Sequence, residues 1–256
     1  MRIKFIVPII TREPLDRLKE GLLPYVSPGT KLDVESIRYG TESNESFFDE
    51  AVNSIGVLEL AEKAQNEGFD GVFIECMLDL GLEAAREKLY IPVVGPGRIA
   101  MLCAGDLADT FSVVTVLENS ISPFKHLASS TGLRDRLVSV RSIEIPVVSL
   151  KDNARLLPTL LNESVLAIEE DGAHAIILGC TRMLGAEKKL TRLLAERGHI
   201  VPVISGIPLG LKYLEMLIHL DLSQSKLSYM TPPEKKVDFR EGIHISGDVD
   251  VDESIL

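Results

Sequence analysis

Cysteine is scarce in this chain: three occur in 256 residues, and no two form a Cys-x-x-Cys pair. That excludes a disulfide scaffold, and a reducing cytoplasm is the expected setting. Positive charge is in deficit too. The formal net charge is -11, which argues against nucleic acid or an anionic membrane as partner. No apolar run approaches the roughly 20 residues of a membrane helix. The opening MRIKFIVPII is short, contains Pro8 and runs into Thr11-Arg12-Glu13 without a small-residue cleavage site, so a buried strand is expected there rather than a signal peptide. A dinucleotide-type glycine loop is missing, because Gly95-Pro96-Gly97 is too short to cradle phosphates. The histidines at 126, 174, 199, 219 and 244 show no metal-ligand spacing. The acidic run from Asp248 to Glu253 resembles the opening of a calcium loop but lacks its Gly and closing Glu. Neither cofactor nor metal is therefore expected.

What the chain does contain is a globular balance, 45 % hydrophobic and 25 % charged, enough to build a core without staples. Strand-like and helix-like segments alternate throughout. Ile3 to Ile9 reads as a buried strand. From Glu50 to Glu67, Ala51, Ile55, Leu58 and Ala61 recur at helical spacing until Gly68 stops them. Asp70-Gly71 marks a turn before the strand Val72-Phe73-Ile74. Leu82, Ala85 and Leu89 share one helix face, and Ile91 to Val94 is a further strand. Phe111 to Val116 opens a second series, with a helix from Ala154 to about Glu170 capped by Asn153, a turn at Asp171-Gly172 and a strand over Ala175–Leu178. This rhythm is the βαβ pattern of parallel sheets covered by helices.

The two series match each other. EGFDGVFIEC, ending at Cys76, parallels EDGAHAIILGC, ending at Cys180, and IPVVGPG at 91–97 parallels VPVISGI at 201–207. The chain reads as a duplicated α/β unit. Residues 1–98 with about 205–225 form one expected lobe, 99–204 the other, and 226–256 a solvated tail or an arm on a neighbouring subunit of a homo-oligomer. A cysteine at the carboxyl end of a parallel strand faces the crevice where such sheets bind ligands. A following helix would aim its positive end at the thiol and lower its pKa. One cysteine at such a position commonly just packs; two at matched positions suggest a mirror-related task. Racemisation is one: a group removes an α-proton from one face while another returns a proton to the opposite face. Cys103, inside the helix-like run Ile99-Ala100-Met101-Leu102, has no counterpart and reads as core.

On these residues the sequence resembles the aspartate/glutamate/hydantoin racemase superfamily, above all its hydantoin and allantoin branch. The resemblance is carried by YGTESNESFFDEA (39–51), ECMLDLGLEAAREKLYIPVVGPG (75–97), FSVVT (111–115), VRSIEIPV (140–147), EDGAHAIILGCTRM (170–183) and SKLSY (225–229). It implies two similar lobes, a small substrate between them, Cys76 and Cys180 as acid/base groups, and no metal or pyridoxal phosphate. The chain departs from the branch where Val7-Pro8-Ile9-Ile10-Thr11 replaces a polar loop, where Met77-Leu78 follows the first cysteine, and where Thr181-Arg182 follows the second. An apolar wall bearing Pro8, Ile10 and Met77 is therefore expected at the ligand. Thr115 at a strand end, Thr41 and Ser43 in a polar loop, and Gly179 and Thr181 flanking Cys180 are the other candidate contacts. The backbone N–H of Thr181 is suited to a developing enolate oxygen. Glu75 precedes Cys76, and strand alternation turns it away from that thiol. A hydantoin- or allantoin-like ring, whose α-proton is acidified, suits thiol bases. An aspartate/glutamate-type racemase, a maleate-type isomerase and, in another class, a ligand-binding or thiol redox-sensing protein are the alternatives.

Overall fold

The computed structural model describes residues 1–150 and 154–235. Asn153, expected as a helix cap, lies outside them, as do His244 and the acidic run of the tail.

Two four-stranded sheets, parallel throughout, carry the fold. The first comprises β1 (Arg2–Val7), β2 (Lys31–Ser36), β3 (Gly71–Ile74) and β4 (Val93–Val94), ordered β2-β1-β3-β4. The second comprises β5 (Phe111–Thr115), β6 (Leu137–Ser142), β7 (Ile176–Leu178) and β8 (Val203–Ile204), ordered β6-β5-β7-β8. Strand for strand the sheets are equivalent, as the repeat predicts. Parallel sheets need helices over both faces, so their inner strands are apolar throughout. Every residue of β3 and of β5 is buried.

The first sheet is wrapped by α1 (Leu15–Leu22), α2 (Phe47–Asn66) and α3 (Leu82–Lys88); the second by α5 (Ile121–Ser130), α6 (Leu156–Glu169) and α7 (Glu187–Glu196). Ser46 caps α2 by accepting the Asp49 N–H at 3.3 Å, and Gly68, at φ +75°, ends the turn that follows it. Two long helices complete the packing: α4 (Pro96–Leu107) and α8 (Gly206–His219) begin after the equivalent strands β4 and β8 and pack on each other. Leading out of the second sheet, α8 returns to the first, where Ile207, Leu211 and Leu214 join Phe73 and Val94 in one buried cluster.

Gly71 departs from expectation. It is the first residue of β3 rather than a turn, and a Cβ there would stand 2.9 Å from Leu214 Cδ1. Its lack of a side chain lets α8 lie close on the sheet; the conformational glycine is Gly68. After α8 the chain runs back over α3. Lys226 Nζ donates to the carbonyls of Arg86 and Glu87, each at 2.8 Å, and Arg86 Nη1 lies 3.1 Å from the Tyr229 hydroxyl. Residues 226–229 are thus tied to the first sheet's own helix.

Candidate active site

Cys76 and Cys180 each sit two residues beyond an equivalent strand, β3 ending at Ile74 and β7 at Leu178. The ladder continues briefly past both ends: Glu75 N–H donates to Ile6 O at 2.9 Å, and Gly179 N–H to Val114 O at 2.8 Å. A tight turn then fixes each sulfur, through Asp79 N–H to Cys76 O at 2.9 Å and Met183 N–H to Cys180 O at 3.1 Å. Both thiols are free and both line one cavity of about 680 Å³, a volume in the usual range for small-molecule sites. They also lie close enough for the charge of one to bear on the other.

Their surroundings differ. Cys76 Sγ accepts Asn44 Nδ2–H at 3.2 Å and Leu78 N–H at 3.4 Å. Burial nevertheless pushes this thiol up to about 12, with Asp79 and Cys180 adding to the rise. Burial likewise takes Cys180 to about 12; the Arg182 backbone N–H opposes it, and Glu75 and Glu45 reinforce it. The expected lowering by helix ends is not found. After Cys76 the chain makes a turn before α3 starts at Leu82, and a single 3-10 turn, Thr181–Met183, follows Cys180. Burial is the largest influence on both thiols. Glu75 is likewise lifted by burial, to about 7, while the Thr181 hydroxyl and the Arg182 charge pull it down. Glu75 and Cys180 keep part of their surface and both line the cavity, yet protein encloses them at longer range, and that sets their ionisation.

Of the contacts expected from sequence, Pro8, Met77, Gly179 and Thr181 reach the cavity wall. Ile10, Thr41, Ser43 and Thr115 do not. Ile10 is exposed and donates its N–H to Thr41 O at 3.0 Å, while its neighbour Ile9 lines the cavity. Thr41 and Ser43 build the loop instead of facing the ligand: Asn53 Nδ2 donates to Thr41 Oγ1 at 3.0 Å, and Ser43 Oγ to Glu45 Oε2 at 2.9 Å. Thr115 is fully buried behind Gly179, where a Cβ would come within 2.9 Å of Thr115 Cβ, and among the described residues its hydroxyl has no hydrogen-bond partner. Cys103 packs from α4 against the main core and lies off the cavity wall. Sequence reasoning passed over Asn44 and Glu75, both of which line the cavity.

Three further contacts hold the site together. Glu45 clasps the two halves: Oε1 accepts Val147 N–H at 2.8 Å from beyond β6, keeping the Asn44 loop across the cleft. Asp79 reaches from the Cys76 turn to the start of α4, accepting Gly97 N–H at 2.8 Å and Arg98 N–H at 2.6 Å. Met77 is pinned between helix starts, since a Cβ on Gly97 would stand 2.0 Å from Met77 O, and one on Gly206 2.6 Å from Met77 Sδ. Among the described residues, no group of three His, Cys, Asp or Glu side chains is arranged to hold a metal, and no helix is long and apolar enough to cross a membrane.

The duplicated parallel α/β frame, with matched strand ends meeting at one cleft, is shared with solved racemases. Residues 7–214 match the sequence model of the Asp/Glu/Hydantoin racemase family, and the chain belongs to that family. It is 35 % identical over 237 residues to a hydantoin racemase of Pseudomonas sp. strain NS671, covering 92 % of this chain and 93 % of that one. Among solved structures it superposes on an allantoin racemase from Klebsiella pneumoniae with a TM-score of 0.84 and 33 % identity, covering 93 % of this chain and 96 % of the other. An allantoin racemase from Pseudomonas fluorescens gives 0.85 and 30 %, covering 93 % and 100 %.

Proposed function

We propose that this protein interconverts the enantiomers of a small ureide, a hydantoin- or allantoin-like ring, by moving the proton on its acidified carbon between Cys76 and Cys180. The observation that carries this reading is the pair of sulfurs at equivalent strand ends on one cavity wall. A thiolate on one face removes the proton, and the thiol on the other returns one. Burial pushes both thiols to about 12, which disfavours ionising either and most of all both together, whereas the chemistry needs one of them as the thiolate and the other as the thiol. Names of relatives support the substrate class: hydantoin and allantoin share a five-membered ring that carries N–H and C=O groups beside the reacting carbon. The reaction needs no cofactor on this reading, because the ring carbonyl delocalises the carbanion.

The test is isotopic. Cys76→Ser and Cys180→Ser should each reduce racemisation of a 5-substituted hydantoin by orders of magnitude, since a serine hydroxyl ionises too weakly to replace a thiolate. Each variant should keep slow exchange of the ring C–H for deuterium from one enantiomer only, and the two variants should prefer opposite enantiomers. Cys103→Ser should turn over normally. Ordinary racemisation by either single active-site variant would remove the basis of this reading.

A further inference from the structure

The segment that follows α8 meets the far end of the element on which the Cys76 turn is built. That turn runs straight into α3: Asp79 N–H donates to Cys76 O at 2.9 Å, Leu82 N–H to Asp79 O at 3.1 Å and Ala85 N–H to Gly81 O at 2.9 Å. The helix so begun is seven residues long. A helix this short is marginal by itself, and its last carbonyls have no partner within it.

Residues 224–229 supply the partners. Lys226 Nζ donates to Arg86 O and Glu87 O, each at 2.8 Å, which sets a cation on the negative end of the helix. Gln224 Nε2 takes the carbonyls beyond it, Leu89 O at 2.8 Å and Ile91 O at 2.9 Å, and its Oε1 accepts Val93 N–H at 3.3 Å. β4 is an edge strand, so this amide stands where a further strand would pair. Arg86 closes the set: Nε donates to Val93 O and Nη1 to the Tyr229 hydroxyl, both at 3.1 Å, with the guanidinium 5.3 Å from the centre of the Tyr229 ring. The second half is built differently. Among the described residues none of 223–235 hydrogen-bonds α7 or the Cys180 turn, and the chain just past α7 is tied to α6 through His199 Nε2 and Glu169 Oε1 at 3.0 Å.

We propose that Lys226, with Gln224 and Tyr229 beside it, is a positioning residue for Cys76: it holds the end of α3, and α3 holds the turn that carries the sulfur, while Cys180 is held without it. The inference rests on Cys76 being one of the two acid/base groups. Proton transfer between sulfur and carbon is sensitive to placement, and a shift of about 1 Å can cost on the order of a hundredfold in rate. Gln224, Lys226 and Tyr229 all lie off the cavity wall, so their influence on substrate runs through the turn alone.

Two measurements test this. In Cys103→Ser protein, alkylation of Cys76 and Cys180 by iodoacetamide is followed separately by peptide mass. Lys226→Met takes the donor from two carbonyls, so local opening of the turn should become more frequent and Cys76 should react on the order of fivefold faster, with Cys180 within about twofold of its native rate. Lys226→Arg, which can still donate to both carbonyls, should restore the native rate at Cys76. Equal acceleration of both cysteines would show an effect on stability alone, and an unchanged Cys76 would show that the turn does not depend on Lys226; either result overturns the proposal. Should Lys226→Met fail to fold, Tyr229→Phe removes a single hydroxyl from Arg86 and should give the same pattern more weakly, about twofold at Cys76. In turnover of a 5-substituted hydantoin, Lys226→Met should lower kcat several-fold at a nearly native KM, because no group on the cavity wall has changed. An unchanged kcat, or a loss confined to KM, would overturn the positioning role. The labelling needs no turnover, so it separates this proposal from the two-thiol reading, which falls on its own if Cys76→Ser still racemises.

Discussion

Asn44 places an amide nitrogen 3.2 Å from the sulfur of Cys76, and among the described residues it is the one side-chain donor to either thiol of the site. A hydrogen bond to a charged acceptor is worth about 1.5–3 kcal/mol, so this donor favours the thiolate well beyond what it does for the thiol. Asn44→Ala should therefore lower kcat/KM roughly ten- to a hundredfold. Asn44→Asp, which sets a carboxylate beside the sulfur, should lower it further. Steady-state kinetics decide it, and an alanine variant as fast as the native enzyme would refute the role. Neither Asn44 nor Glu75 was legible in the sequence, for different reasons. Asn44 shares its loop with the hydroxyls of Thr41 and Ser43, and nothing local says which of the three reaches the thiol. Glu75 was weighed only against its neighbour Cys76, from which strand alternation turns it, and nothing local says that it lines the same cavity as Cys180. The thiols themselves were legible because the repeat marks both with the same apolar strand and turn.

Among the elements, α4 shows how a helix end can organise a turn distant in sequence. Gly95 at its cap position has no side chain to accept the free N–H groups, and Asp79 accepts two of them from the Cys76 turn. Asp79 also sits at φ +54°, a conformation that Asn tolerates and Ala does not. Asp79→Ala should cost about 2 kcal/mol in urea unfolding and reduce kcat by displacing the Cys76 turn. Asp79→Asn, which keeps one acceptor and the backbone preference, should cost less than half of that. Equal stability of the alanine variant and the native protein would contradict the capping role. The inner strands and the helices beside them are readable from apolar runs and helical spacing. β2 and β6 are not, because they are edge strands with one neighbour each. Lys31, Asp33 and Glu35 in one, and Ser139 and Arg141 in the other, break any apolar run.

Over the whole molecule, the Glu45 clasp joins the first half's loop to the second half. Its effect on rate should run through Asn44, so the variants Glu45→Ala and Asn44→Ala should not be additive: the double variant should fall little below the worse single one. A double variant that shows the full product of the two losses would mean that the clasp acts elsewhere. Two-lobe duplication was legible at this scale because it leaves the same apolar and turn signature twice. What the halves do to each other was not, since contacts such as Glu45 to Val147 join residues with no local signal linking them.

The unequal settings of the two sulfurs, one beside an amide donor and the other beside a carboxyl, have a consequence for turnover. Mirror-image molecules have the same free energy in water, so a racemase brings them to an even mixture whatever its own asymmetry. The ratio kcat/KM must then be equal for the two hands. Under the proposed chemistry, uneven thiols cannot make the enzyme prefer a product. They can only make one hand saturate it at lower concentration and turn over more slowly, in the same proportion. Left- and right-handed progress curves would then differ in shape and still converge on a solution that rotates no light.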